Sequence, residues 1–193
     1  MKFLIRLSIL NLLVFMLLLQ GCVAVVGGAA ATGAAVAYDR RTAGTVIEDE
    51  SIELKAGQAF REDKEINDTS HLNVTSYNMV VLVTGESPKE ETRDRIINIV
   101  KNIPKVTRVY NEVTIAAPSS LTSRSSDSLI TSKVKTKLLT MDSVDGSRVK
   151  VVTEKGVVYL MGLVTREEAN QATEGTRQVG GVQKVVKLFQ YID

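Results

Sequence analysis

The chain has one cysteine, one histidine and no tryptophan. A single thiol, Cys22, cannot form an internal disulfide. A single imidazole, His71, cannot build a His/Cys cluster with metal-ligand spacing. His71 stands just before an apolar strand pattern, where it reads as a surface residue. With Cys22 committed elsewhere, as argued below, no Cys/His pair remains for nucleophilic catalysis. The serines between Ser119 and Ser128 have no base beside them and read as linker. Gly27, Gly28 and Gly33 are followed by no Gly-Lys-Ser/Thr, so they make no phosphate loop. An excess of charge of one sign is lacking too. The chain has 24 basic and 22 acidic side chains, and two of the basic ones, Lys2 and Arg6, lie in the leader. The rest is balanced, which argues against nucleic acid as the partner. These absences exclude no fold, but they point away from an enzyme, a cofactor, a metal or a small-molecule substrate.

What is present begins at the first residue. Lys2 and Arg6 precede an apolar run, Leu7–Leu19, broken only by Ser8 and Asn11. That run is shorter than the roughly 20 residues a membrane helix needs. A positive flank, a short apolar core and a small residue before a cut describe a secretory signal over residues 1–21. Leu19-Gln20-Gly21-Cys22 matches the lipobox of bacterial lipoproteins, and that resemblance implies an S-diacylglycerol and an N-acyl chain on Cys22. Several chains on one residue anchor stably, since each buried methylene contributes about 0.8 kcal/mol and one chain is marginal. Val23 stands where an Asp holds such proteins in the inner membrane, so the outer membrane is expected. Residues 22–45 then read as the acylated cysteine and a flexible Gly/Ala tether, or as a packed or membrane-lying Gly/Ala helix.

The remainder is duplicated. Val74 and Val151 are 77 positions apart, as are Gly85 and Gly162, each ending an apolar run: Val-Val-Leu-Val-Thr-Gly and Val-Val-Tyr-Leu-Met-Gly. Ile52, Ala56 and Phe60 match Ile130, Val134 and Leu138 at a spacing of 78, and Val106 matches Val182 at 76. Each copy reads as an amphipathic helix, a strand hairpin, a second helix and a closing strand. Asp127 is the expected N-cap of the second copy's first helix. Asn78 is expected to take the left-handed position of the first hairpin turn, and Gly156 that of the second. The predicted architecture is α+β: residues 46–116 and 126–193 as two domains, with a linker at 117–125. Each domain is an αββαβ unit with a three-stranded mixed sheet packed on two helices.

On these residues the chain resembles the BON domain family, and specifically its two-domain outer-membrane lipoproteins. Asp39-Arg40-Arg41-Thr42-Ala43-Gly44, Val109-Tyr110-Asn111-Glu112 and Tyr159-Leu160-Met161-Gly162-Leu163-Val164-Thr165 carry the likeness. The resemblance implies a non-enzymatic, periplasm-facing protein. It would bind anionic phospholipid such as phosphatidylglycerol, support outer-membrane integrity and gather near the division site.

The two copies differ most in their first helix. Residues 46–66 hold three basic and seven acidic side chains; residues 121–141 hold four basic and one acidic. At 100° per residue, Ile130, Val134, Leu138 and Met141 share the core face, while Leu129 and Leu139 fall off it. Lys133 and Thr136 lie beside Leu129, and Lys137 is nearby. Apolar tips among lysines suit an anionic membrane surface. The resemblance places the phospholipid contact on this same helix, here Leu129, Lys133, Thr136, Lys137 and Leu139. Leu129 replaces an aromatic residue of the resembled site, which lowers the interfacial apolar area. The other reading of these residues is a solvated face with Leu129 packed on the first domain. A separate reading makes the protein a scaffold, in which this helix contacts envelope-assembly proteins and lipid serves only as tether.

Overall fold

The computed structural model describes residues 39–193. That segment is a compact unit of its own and contains three apolar clusters. The leader, Cys22 and the Gly/Ala segment up to residue 38 lie outside the described residues.

The first half runs α1 (Ala43–Glu62), α2 (Lys64–Thr69), β1 (His71–Tyr77), β2 (Val80–Ser87), α3 (Glu90–Lys101) and β3 (Arg108–Ile115). The second runs α4 (Leu121–Leu139), a short 3-10 turn (Gly146–Arg148), β4 (Lys150–Glu154), β5 (Val157–Val164), α5 (Arg166–Arg177) and β6 (Lys184–Tyr191). In each half the middle strand pairs antiparallel with the hairpin strand and parallel with the closing strand. The expected pair of α+β units with three-stranded mixed sheets is therefore present. One element is additional. Asp63 ends α1 in extended backbone, then accepts from the Ile66 amide to start α2, which seats Ile66 in the core.

Asp127 is not an N-cap. The helix begins six residues earlier, at Leu121, where Ser120 accepts from the Ser123 amide. Asp127 sits inside α4, buried, and its two oxygens accept from the amides of Lys155 and Gly156 at 2.9 Å each. Those amides belong to the β4–β5 turn, and buried donors need partners. The linker is correspondingly shorter, since 121–125 is helical. Likewise the tether ends sooner than expected: the chain is placed from Asp39, and Thr42 caps α1.

The first half repeats the device. Asp49, one repeat earlier, accepts from the amides of Asn78 and Met79 at 2.7 Å each. Asn78 is left-handed as expected, at φ 51°, but so is Met79, at φ 62°. Lys155 and Gly156 are left-handed in the second turn. A two-residue turn matched to strand twist needs positive φ at both places. The helix aspartate satisfies both turn amides and so offsets the steric cost of about 1–2 kcal/mol per non-glycine residue.

Every residue of β2 is buried. Val81 and Val83 face the helices of their own domain. Val80 and Leu82, with Tyr77, meet Tyr159, Met161 and Leu188 of the second domain. The sheets thus pack face to face with helices on both outer sides. A strand covered on both faces reads as a continuous apolar run, which explains Val80–Val83 and Val157–Met161. Polar bonds fix the pairing: Asn78 Nδ2 to Gln190 Oε1 at 2.8 Å, and Tyr159 OH to Glu112 Oε2 at 3.1 Å. Lys155 Nζ reaches the fully buried Glu86 carboxylate at 2.8 Å.

Candidate membrane-contact surface

The core ridge of α4 is Ile130, Val134 and Leu138, all buried, with Met141 packed against the same cluster. Because the sheets occupy the middle of the unit, the opposite face of α4 looks outward. Leu129 is 62% exposed and Leu139 64%. The alternative in which Leu129 packs on the first domain is therefore excluded. Lys133 and Thr136 are exposed, and Lys137 is half-buried.

The structure adds a residue that sequence reasoning missed. Leu121 is 78% exposed, and at 100° per residue it falls on the same side of Leu129 as Leu139 does. The stripe from Leu121 to Leu139 covers about 27 Å of helix at 1.5 Å per residue. Lys133 and Lys137 flank it on one side. Lys135 lies on the other, where it lines a groove with Leu139, Val149, Lys150, Arg41 and Tyr77. The signal for Leu121 was weak because Thr122–Ser128 is rich in hydroxyl residues and reads as linker.

Several hydroxyls along α4 and at its C-cap are bonded within the helix. Ser125 donates to the Thr122 carbonyl at 2.9 Å, Ser128 to Arg124 at 3.0 Å, Ser132 to Ser128 at 2.9 Å and Thr140 to Thr136 at 3.1 Å. Each donor is folded back onto its own helix. The outer face of α4 therefore shows less polarity than its composition implies.

A clip joins the segment leading from the tether to both domains. Arg40 donates to both oxygens of Glu168 at 2.6 and 2.9 Å and to the Leu163 carbonyl at 2.9 Å. Glu168 is also held by the Thr165 amide in a capping box. The Arg40 guanidinium lowers its pKa to about 2. The next residue, Arg41, turns to the first domain: it donates to Asp49 at 2.8 Å and stacks over Tyr77, 4.0 Å from the ring centre. Adjacent arginines thus bind opposite halves. Glu168, in the first turn of α5, suits the helix dipole and also anchors the clip.

Among the described residues, no group of His, Cys, Asp and Glu is arranged to hold a metal ion, and no helix is long and apolar enough to cross a membrane. His71 is half-buried, and burial lowers its pKa. Cys22, the expected acylation site, lies outside the described residues.

Comparison with known proteins supplies the relationship. The BON domain model matches residues 48–117 and again 126–193. The chain is 41% identical over 175 residues to the outer membrane lipoprotein DolP of Haemophilus influenzae, covering 91% of both chains. It is 34% identical over 154 residues to the 21 kDa hemolysin of Actinobacillus pleuropneumoniae, covering 80% of this chain and 79% of that one. With osmotically-inducible protein Y of Escherichia coli it shares 28% over 145 residues, 74% of this chain and 72% of the relative.

Proposed function

Since the chain belongs to the BON domain family, as an outer-membrane lipoprotein with two such domains, we propose that the outer face of α4 rests on anionic phospholipid such as phosphatidylglycerol. The observation that carries this reading is the stripe of three exposed leucines on a helix whose exposed charges are lysines and of whose hydroxyls Ser125, Ser128 and Ser132 are bonded back to its own carbonyls. Each leucine entering the headgroup boundary contributes roughly 1–2 kcal/mol. Each nearby lysine adds about 1 kcal/mol on an anionic leaflet. Sums of this size give weak contact from solution. The acyl chains on Cys22 would hold the protein at the membrane, so that α4 binds at high effective concentration. On this reading the anchor supplies residence and α4 supplies orientation and headgroup preference. The protein works by binding, without catalysis, faces the periplasm, and supports outer-membrane integrity. Enrichment at the division site belongs to the same reading.

Flotation of residues 39–193 with vesicles tests it. Anionic vesicles should carry the protein up and neutral ones should not, and added salt should weaken the effect. Leu129→Glu and Lys133→Glu should each lower binding about tenfold, roughly 1.4 kcal/mol. Equal recovery with neutral and anionic vesicles would remove lipid recognition from α4 and leave the acyl chains as sole membrane contact. Scaffolding of envelope-assembly proteins would then become the leading account.

A further inference from the structure

The first domain carries a second surface, on the edge of its sheet. In the β1–β2 hairpin Tyr77 pairs with Val80 across a two-residue turn. In such a hairpin, alternate residues of β1 direct their backbone groups away from β2. Ser76 is one of them, and its amide is taken by the α1 side chain Glu53 at 2.8 Å. Leu72 and Val74 are the next two outward residues. Neither their amides nor their carbonyls find a partner among the described residues beyond the β1–β2 ladder. Beside this edge α1 leaves a groove of about 430 Å³, floored by Phe60, Leu72 and Val74 and walled by the 71% exposed Leu54. Gly57 lines its middle, where an added methyl would lie 3.3 Å from the Arg61 guanidinium.

We propose that this groove binds an extended segment of a partner protein, which adds to β1 as a fourth, antiparallel strand. Free backbone groups along an edge supply the hydrogen bonds of such an addition, and an apolar trough beside them receives alternate side chains. The ends of the groove fix the polarity of the occupant. Glu50 and Glu53 stand at the Val74–Ser76 end, and Arg61 and His71 at the Leu72 end. Neither Glu50 nor Arg61 has a salt-bridge partner among the described residues. A strand antiparallel to β1 places its N-terminal end by Glu50 and its C-terminal end by Arg61. The fitting partner segment therefore has a lysine or arginine first, alternating apolar residues, and a carboxylate last. The second domain's matching edge differs in charge: Lys135 occupies the place of Gly57 and lines the groove there together with Lys150.

The test is an NMR titration of residues 39–193 with the peptide Lys-Val-Thr-Val-Thr-Val bearing a free carboxylate. A second peptide is the control, with glutamate first and lysine last. The expected result is a shift and slowed exchange of the Leu72 and Val74 amides with the first peptide, binding at least about tenfold weaker with the second, and loss of binding in Gly57→Lys. Leu54→Glu, a surface change that leaves the core intact, should weaken binding independently. No amide shift at about 1 mM peptide, equal binding by the two peptides, or unchanged binding in Gly57→Lys would overturn the proposal. Shifts of the same amides on raising protein concentration alone would assign the edge to a second copy and overturn it as well. None of these outcomes depends on vesicles, so failure here is distinct from failure of the lipid reading.

Discussion

The two domains share a fold and differ in what they show the outside. In both, an aspartate on the first helix grips the hairpin turn, a buried ridge packs the sheet, and the apolar middle strand faces the other domain. Outside, α1 carries acids with Ile47 and Leu54 exposed, while α4 carries lysines with Leu121, Leu129 and Leu139 exposed. Duplication kept what the fold needs, namely turn, ridge and interface. Positions free of that duty diverged in charge. The second domain suits an anionic surface, which the first would repel. The first suits a segment with a cationic end, which the second would repel. On the two proposals above, charge of opposite sign on one scaffold would let a small protein meet two kinds of partner without interference.

The largest effect that can break this symmetry lies at a matched pair of glycines. Gly85 has φ +119°, and a methyl there would overlap the His71 carbonyl. Gly162, its counterpart, has no positive φ but would bring a methyl to 2.7 Å from the Arg148 carbonyl. Gly85→Ala should cost about 4 kcal/mol or more and Gly162→Ala about half of that, read from urea unfolding. Equal costs would mean that the two strand ends are under the same constraint. Next come the aspartates. Asp49 accepts from two turn amides, the Ser76 hydroxyl and Arg41, whereas Asp127 accepts from two turn amides. Asp49→Ala should cost roughly 3–5 kcal/mol, since it also removes one of the two carboxylates that hold Arg41 and leaves it Asp39 alone. Asp127→Ala should cost roughly 2–3 kcal/mol, from two orphaned amides.

Much of this was legible in the sequence. The near-constant offset of 76 to 78 residues announced a duplication, because each copy must place its ridge and its turn at nearly fixed distances. The core ridges Ile52-Ala56-Phe60 and Ile130-Val134-Leu138 followed from helical spacing, and both are buried. The unbroken run Val80–Val83 also held a clue to the face-to-face sheets, since a strand with one wet face alternates. Less legible was the start of α4. Thr122 to Ser128 has linker composition, yet Ser120 caps it as helix and Ser125 and Ser128 bond back to its own carbonyls. Asp127 misled for the same reason: an acid before an apolar ridge resembles a cap, and its partner lies 28 residues on, at Lys155. The clip joins residues more than 120 positions apart, and the open edge depends on which β1 groups stay unpaired. Spacing within one element reports neither.

An exchange of surfaces sharpens the comparison at a smaller scale. Lys133→Glu with Lys137→Glu gives α4 the sign of α1. Stability should change by less than about 0.5 kcal/mol, as for most surface sites, while recovery on anionic vesicles should fall about tenfold or more. Ile47→Glu on α1 should leave vesicle binding unaltered. If Ile47→Glu lowered it as much as Leu129→Glu, the whole unit and not α4 would face the membrane.

The smallest expected effect concerns the clip. Glu168 titrates near 2 in the folded protein against an ordinary 4.5, chiefly because Arg40 donates to it. An acid whose folded pKa is depressed stabilises the fold above its unfolded value, and the stabilisation is lost as pH falls toward the folded one. The window is therefore about pH 4.5 down to 2. With both side chains 20–25% exposed, solvent screening holds the contribution to about 1 kcal/mol. Arg40→Met should lower the unfolding midpoint at pH 7 by a few degrees and make little difference at pH 2. Arg41→Met, which releases the first domain's half of the clip, should be costlier at pH 7, because Asp49 is buried and Tyr77 loses its stacked cation. A penalty for Arg40→Met that persisted undiminished at pH 2 would show that its bond to the Leu163 carbonyl, and not the carboxylate, fastens Arg40 to the second domain.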